Sequence, residues 1–171
     1  MLPALMRPRI AAIAASLLSA IVLAGALTAC GEEEHGEVVE GEPIEINELE
    51  YNVQITRFLN PFDVEDSEYL GVFMVISNPT EEARPSATNY VVTDTVQNEY
   101  EMVESESPYA LDIGAQVGAE DQLPLIDSTA GTGPNQGALL IFQVDQSVSD
   151  NRPLELEIQT FGGTGEVTLD I

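Results

Sequence analysis

Apolar and polar residues alternate along much of the chain after Pro43, which is the period of a β-strand with one buried face. The alternating sets are Ile44 and Ile46, then Tyr51, Val53 and Ile55, then Leu154, Leu156 and Ile158, and finally Val167, Leu169 and Ile171. Two other segments, 69–77 and 138–144, are apolar at nearly every position and predict central strands that are covered on both faces. Shorter strands are expected at 91–95 and 100–103, joined by a turn at Gln97-Asn98.

These segments predict an all-β domain over residues 43–171, because nothing after residue 30 combines a helical period with helix caps. Seven or eight short strands with turn residues between them indicate an antiparallel immunoglobulin-like β-sandwich. The stretch 104–136 is different, since it is rich in glycine, proline and acidic residues. An irregular connection of that length is uncommon in a compact domain, so short edge strands are expected at 111–113 and 123–126.

The first thirty residues have the pattern of an export signal. Arg7 and Arg9 precede an apolar run over 10–27 that ends in small residues. A run of this length is also a candidate for a permanent membrane helix. The sequence Leu27-Thr28-Ala29-Cys30 resembles the bacterial lipobox, in which a diacylglycerol is attached to the cysteine sulfur and the preceding peptide is removed. The prediction is therefore a signal peptide over 1–29, with lipidated Cys30 anchoring the protein to the outer face of the cytoplasmic membrane.

Residues 30–42 are predicted to be the lipidated cysteine followed by a disordered acidic linker. The linker reads GEEEHGEVVEGE, with six glutamates and three glycines among twelve residues. Its full extension would be about 40 Å. His35, the one histidine of the chain, is expected to be solvated there rather than to bind a metal.

The charge of the chain restricts its partners. Thirty acidic residues oppose five arginines, and only three arginines remain after cleavage before Cys30, for a formal charge of −27. Such a surface repels nucleic acid and anionic lipid headgroups, so membrane contact is expected through the lipid alone. An unknown protein or another envelope component is the expected partner.

Most catalytic and metal-binding chemistry lacks its residues in this chain. A single cysteine, predicted to carry lipid, and a single histidine do not supply the ligands of blue copper or structural zinc. They do not supply a Ser-His-Asp or Cys-His site either, and the absence of lysine removes Schiff-base chemistry. The sequence therefore predicts a protein that is not an enzyme and has no cofactor of these kinds.

Carboxylates are the abundant reactive group, and they leave two alternatives open. Asp63, Glu65, Asp66 and Glu68 lie in one acidic stretch that could provide oxygen ligands for calcium, although the spacing departs from the EF-hand and a solvated loop is the competing interpretation. A glycosidase-type carboxylate pair would need an aromatic-lined cleft. Among the aromatic residues, which are mostly spaced as core positions, Phe62 and Tyr109 fall near loops and are candidates for an interface.

Several segments together resemble a family of bacterial exported lipoproteins of unknown function. These proteins carry one immunoglobulin-like domain and are akin to the mycobacterial secreted immunogenic protein superfamily. The segments are Gly41-Glu42-Pro43, the strand 69–73 running to Asn78, the turn from Asp94 to Tyr100, residues 137–142, and Arg152-Pro153-Leu154-Glu155-Leu156. The family usually has a glycine in the turn where this chain has Gln97, and 104–136 is longer than the typical connection. The resemblance implies a β-sandwich and carries over no catalytic residue.

Taken together, the residues predict a lipid-anchored extracytoplasmic protein with a non-enzymatic β-sandwich that binds a partner or serves a structural role. The alternatives are a protein that binds calcium or another cation, and a carboxylate-based carbohydrate-active enzyme.

Overall fold

The computed structural model describes residues 34–59 and 67–171. The predicted signal peptide, the predicted lipobox and Cys30 lie outside the described residues. The strands of the described part are β1 (Glu34–Val39), β2 (Ile44–Ile46), β3 (Leu49–Leu59), β4 (Ser67–Ser77), β5 (Arg84–Pro85), β6 (Asn89–Thr93), β7 (Glu99–Glu101), β8 (Gln116–Val117), β9 (Gln122–Leu123), β10 (Ala138–Asp145), β11 (Leu154–Thr160) and β12 (Gly163–Leu169). A short helix, α1 (Thr129–Thr132), and a 3₁₀ turn at Gln146–Asp150 complete them. Neither of these two helical elements has the length or the apolar composition needed to cross a membrane.

Two sheets form the sandwich. The first has the strand order β1-β12-β11-β6-β7, and the second has the order β10-β4-β3-β2, with β9 added at the end of β4. Strands β3-β4-β10 and β6-β11-β12 correspond to the A-B-E and C-F-G strands of the immunoglobulin fold. Bridges at Met102 and Ala110 place the intervening chain along β10, where strand D would lie. The antiparallel β-sandwich predicted from the alternation is confirmed, with more strands than expected because several have only two or three residues.

Alternating side chains of both sheets build one core. Leu70, Val72, Met74 and Ile76 of β4 have no exposed surface. In the same core, the hydroxyl oxygen of Tyr51 accepts a hydrogen bond from the Ala87 amide at 2.9 Å. Burial raises the pKa of Tyr51 to about 12, and the hydrogen bond to Ala87 opposes that rise. The buried tyrosine therefore stays neutral and pairs an amide that would otherwise be unsatisfied.

The prediction of a disordered linker over 30–42 is wrong for Glu34–Val39. These residues form β1, which pairs in parallel with β12 and places Val38 opposite Val167. Val38 packs against the core, and the carboxylate of Glu40 accepts hydrogen bonds from the amides of Thr56 at 3.1 Å and Asp170 at 3.2 Å. The free edge of β12 thus supplies partners that composition alone does not reveal.

Strand β10 also differs from its prediction. Strand β4 is central and buried over 70–74, as expected, whereas β10 lies at the edge of its sheet. Its free edge is covered by the following contacts: Val103 N–H to Ile141 O at 2.7 Å, Leu139 N–H to Tyr109 O at 2.7 Å, and Leu111 N–H to Leu139 O at 3.0 Å. The free edge of β10 is therefore covered by a loop segment rather than by a full neighbouring strand.

The stretch 104–136 is ordered by long-range pairing more than by strands of its own. No strand forms at 111–113, and at 123–126 only Leu123 belongs to a strand, β9. Strands β8 and β9 tie the segment to β5 and β4. The side-chain amide nitrogen of Asn78 donates hydrogen bonds to the carbonyl oxygens of Val117 and Gly118 at 3.1 and 2.8 Å. One buried amide thus fastens the segment to the end of β4.

The β6–β7 turn contains Gln97 in a conformation that is unusual for a residue other than glycine. Gln97 has a φ of +67°, in the left-handed region that favours glycine. The buried carboxylate of Asp94 accepts hydrogen bonds from the Val96 amide at 3.0 Å, from the Asn98 amide at 2.9 Å and from the Asn151 side chain at 3.1 Å. Burial would raise the pKa of Asp94, but the hydrogen bonds from Asn98, Asn151 and Val96 outweigh burial and lower it. This carboxylate therefore holds the turn in a conformation with a positive φ at Gln97.

Candidate functional site

The outer face of the β10-β4-β3-β2 sheet carries apolar residues and is partly covered by chain 102–137. Because β4 directs Val72 and Met74 into the core, Phe73 between them points to the outer face, yet it is buried. A Cβ on Gly71 would lie 2.8 Å from the Leu59 side chain, and one on Gly137 would lie 3.0 Å from the Met74 amide nitrogen. The covering segment and the neighbouring side chains therefore approach the sheet closely.

A cavity of about 270 Å³, named here the aromatic pocket, opens between the sheet and this segment. Its walls include the rings of Phe73 and Tyr109, the apolar side chains of Leu59 and Leu139, and the polar groups of Arg57 and Asn135. The volume is slightly below the range of about 300–1,000 Å³ typical of pockets for drug-sized ligands. The pocket is therefore suited to one side chain or a comparably small group.

Arg57 gives the aromatic pocket its positive charge. The guanidinium carbon lies 5.1 Å from the centre of the Phe73 ring, within the range of a cation–π interaction. Strand β3 presents this side chain on the outer face, where the residue is exposed. The guanidinium can donate several hydrogen bonds to a carbonyl or carboxylate that enters beside the rings.

The backbone around Tyr109 fixes this residue at the pocket wall. Its carbonyl accepts from the Leu139 amide at 2.7 Å, and its own amide donates to the Ser107 hydroxyl at 3.2 Å. A Cβ on Gly133 would lie 3.0 Å from a ring carbon of Tyr109, so glycine lets the covering segment pass close to the ring. Tyr109, a residue predicted for an interface, is thus in the wall of a pocket; its contact with a partner stays a prediction.

Three further cavities surround this region. One of about 430 Å³ is lined by Met102, Leu111 and Leu139 and carries the carboxylates of Glu104 and Glu106. Two others, of about 320 and 330 Å³, share Ile126 and Gln122. Two of the four cavities carry two carboxylates, Glu104 with Glu106 and, in the cavity of about 330 Å³, Glu120 with Asp121, and neither has an aromatic wall. The aromatic pocket and the cavity of about 320 Å³ have no carboxylate. None of these four cavities supports the carbohydrate-active enzyme.

The other predicted site residues lie largely outside the described residues. This holds for Phe62, Asp63, Glu65 and Asp66, and for the lipidation site at Cys30. Glu68 is described, and it lies on β4 opposite Val144 of β10. Among residues 34–59 and 67–171, no three histidine, cysteine or acidic side chains come together as a metal site would require. Calcium binding at the acidic stretch stays a prediction.

Sequence reasoning did not find Arg57, Phe73 and Leu139 as site residues. Phe73 and Leu139 lie in the two segments that are apolar on both faces, and such a segment is expected to be buried on both sides. The sequence does indicate that β4 and β10 each have a second apolar face, which another part of the chain must cover. Residues 102–137 partly cover that face. The position of Arg57 beside this cover depends on strand register and could not be read from spacing.

Comparison with known proteins supports the fold and gives no family. No family model matches the chain, and no curated protein matches it. Among solved structures, the yjhA protein from Bacillus subtilis matches over 78% of this chain and 99% of its own, at 12% identity and a TM-score of 0.54. An uncharacterized β-sandwich protein from Clostridium difficile 630 matches over 82% of this chain and 97% of its own, at 14% identity and a TM-score of 0.47.

Proposed function

We propose that this protein is a non-enzymatic, lipid-anchored binding protein of the cell envelope, and that it binds a protein partner through the aromatic pocket. The observation that carries the proposal is the grouping of Phe73, Tyr109 and Arg57 around one small cavity on a sheet face. Tyrosine and arginine are enriched among the residues that dominate protein–protein binding, especially around pockets that accept one anchoring side chain.

The surface beside the aromatic pocket favours a protein over a small molecule. The same covering segment exposes Leu125 and leaves Ile126 70% exposed. Ile126 lines the cavity of about 320 Å³ together with Val75 and Gln136, and Gln136 directly follows the pocket residue Asn135. A partner that inserts one side chain into the aromatic pocket would bury Ile126 at the same time, which gives an apolar centre to the interface.

The charge of the chain limits the kinds of protein surface to which it can bind. The strong negative charge of the chain favours association with a neutral or basic surface and disfavours acidic ones. Arg57 provides a local exception inside this field, and it suits a carbonyl or a single carboxylate near the inserted side chain. The proposed partner is therefore a neutral or basic envelope protein with an exposed apolar side chain.

The proposed localisation follows from the lipobox resemblance of Leu27-Thr28-Ala29-Cys30. A diacylglycerol on Cys30 would hold the protein at the outer face of the cytoplasmic membrane without a basic patch. The Cys30→Ser variant is expected to leave the membrane fraction or to remain unprocessed. A Cys30→Ser protein that is processed and still fractionates with membranes would contradict the anchor.

Site-specific photo-cross-linking in intact cells tests the proposed interface. A photoreactive phenylalanine analogue is placed at Ile126, and a matched control carries it at Val96, which is 60% exposed in the β6–β7 turn. The proposal expects a discrete cross-linked protein from position 126, lost when Tyr109→Ala or Arg57→Ala is combined with it. An identical product from position 96, or a product that survives both pocket variants, would overturn the proposal.

A further inference from the structure

Phe161 is an exposed aromatic residue at one end of the sandwich. It lies in the turn between β11 and β12 and is 89% exposed, more than any other large hydrophobic residue of the described part. The sequence from Gln159 to Gly165, QTFGGTG, contains no charged residue. Phe161 and the two glycines that follow it therefore form an uncharged, exposed end of the turn, named here the Phe161 tip.

The N-terminal strand begins at this same end. Strand β1 runs parallel to β12, and Glu34 pairs with Thr164, three residues after Phe161. Because β1 is fixed to the sheet edge, only three residues, 31–33, lie between Cys30 and Glu34. The four Cα–Cα steps from Cys30 to Glu34 span at most about 14 Å. A lipid on Cys30 would thus hold the domain by the end that carries the Phe161 tip.

We infer that the Phe161 tip contacts the lipid bilayer and fixes which end of the sandwich faces the membrane. This inference rests on the proposed lipidation of Cys30, and it adds a second membrane contact to the lipid, which the charge of the chain predicted to be the sole one. A phenylalanine by itself gives weak membrane binding, but the short linker keeps the ring at a high effective concentration near the surface. Burying the ring at the boundary between acyl chains and headgroups removes apolar area from water, which is favourable. Because residues 159–165 carry no charge, no charged side chain of the tip has to lose its water.

The same end of the sandwich carries acidic residues that affect the choice of lipid. The β11–β12 turn lies against the β2–β3 turn, since a Cβ on Gly162 would fall 2.5 Å from the amide oxygen of Asn47. Glu48 follows in that turn and pairs with Arg84 at 2.6 Å, and Glu82 lies 3.6 Å from the same guanidinium, so two carboxylates share one arginine. These acidic side chains oppose approach to an anionic surface. Contact by the tip is therefore expected to be stronger on zwitterionic than on anionic vesicles.

Tryptophan fluorescence tests the inference directly, because the chain has no tryptophan of its own. Phe161→Trp and, as the matched control at the opposite end, Val96→Trp are prepared as lipidated protein purified from membranes. Each is reconstituted into phosphatidylcholine vesicles with and without brominated acyl chains. The inference expects blue-shifted emission and strong quenching by the brominated lipid for Phe161→Trp, and neither for Val96→Trp. Both effects should weaken in vesicles rich in phosphatidylglycerol.

Flotation of the same vesicles separates the two ways in which the inference can fail. Protein that floats with the vesicles while the tryptophan at 161 remains unquenched would overturn the contact of the tip and leave the lipid anchor standing. Full-length protein that does not float, with Cys30 unmodified by mass spectrometry, would overturn the anchor and the contact together. Equal quenching at positions 161 and 96 would also contradict a fixed orientation.

Discussion

In this domain a single side chain holds the β6–β7 turn, and another satisfies a buried backbone amide. The carboxylate of Asp94 holds the β6–β7 turn, in which Gln97 has a positive φ, by accepting hydrogen bonds from the amides of Val96 and Asn98. The sequence predicted a turn at Gln97-Asn98, because Asp, Asn and Gln lie between two strand patterns. It did not identify the contact from Asn151, since that residue is distant in sequence and reaches Asp94 only in the folded sheet.

Replacing Asp94 by asparagine is expected to destabilise the domain by about 1–3 kcal/mol near neutral pH, because an amide nitrogen would face donors that now bond a carboxylate oxygen. The pKa of Asp94 is lowered in the folded state, so its stabilising contribution is present above its unfolded pKa of about 3.9 and is lost as the pH falls through the folded value. Thermal melts across pH should therefore show the difference between wild type and Asp94→Asn shrinking below about pH 4. A difference that is constant down to the lowest pH would contradict this role.

Two buried tyrosines provide a matched test of hydrogen bonding in the core. Tyr51→Phe leaves the Ala87 amide without its acceptor and is expected to reduce the free energy of unfolding by about 1–3 kcal/mol. Tyr90→Phe removes a buried hydroxyl that has no hydrogen-bond partner in the described part of the chain, and it should be neutral or stabilising. Urea denaturation measures the free energy of unfolding of both variants. An equal decrease in the two would show that the hydrogen bond to Ala87 does not contribute to stability.

At the level of secondary structure, alternation predicted the long strands and failed where pairing alone creates a strand. Strands β3, β11 and β12 form where their periods of two predict them, but the prediction that Ile55 shares the buried face of Tyr51 and Val53 is wrong. A register shift between Val53 and Ile55 interrupts the alternation of β3 and leaves Ile55 exposed. Strand β1 lies in a stretch dominated by glutamate, so composition indicated disorder. Its strand is made by Val38 against the core and by the unpaired edge of β12, neither of which the local sequence specifies.

A pair of neighbouring valines tests whether β1 is part of the folded domain. Val38 packs against the core, whereas Val39 is exposed on the same strand. Val38→Asp is expected to lower the free energy of unfolding by about 1–3 kcal/mol, because it moves a carboxylate toward apolar surroundings. Val39→Asp should change it by less than about 0.5 kcal/mol. Two variants with the same stability as the wild type, measured by urea denaturation, would instead indicate a linker that does not pack.

At the level of the whole molecule, the order of strands determines where the aromatic pocket and the Phe161 tip lie. The pocket depends on chain 102–137 crossing the outer face of one sheet, and the tip depends on β1 running parallel to β12. Residue inventory could exclude most catalytic classes, because chemistry requires residue types that the chain lacks. It could not place Arg57 beside Phe73, because that contact follows from the register of β3 and β4.

The proposed localisation and the proposed orientation both depend on how the N-terminus is processed, since a lipid on Cys30 is what would bring the folded domain to the membrane surface. Intact-mass and peptide mass spectrometry of the protein purified from membranes tests this most directly. The account predicts a mature chain that begins at Cys30 and carries the added mass of a diacylglycerol on that residue. A chain that retains residues 1–29, or one that begins elsewhere with Cys30 unmodified, would contradict it.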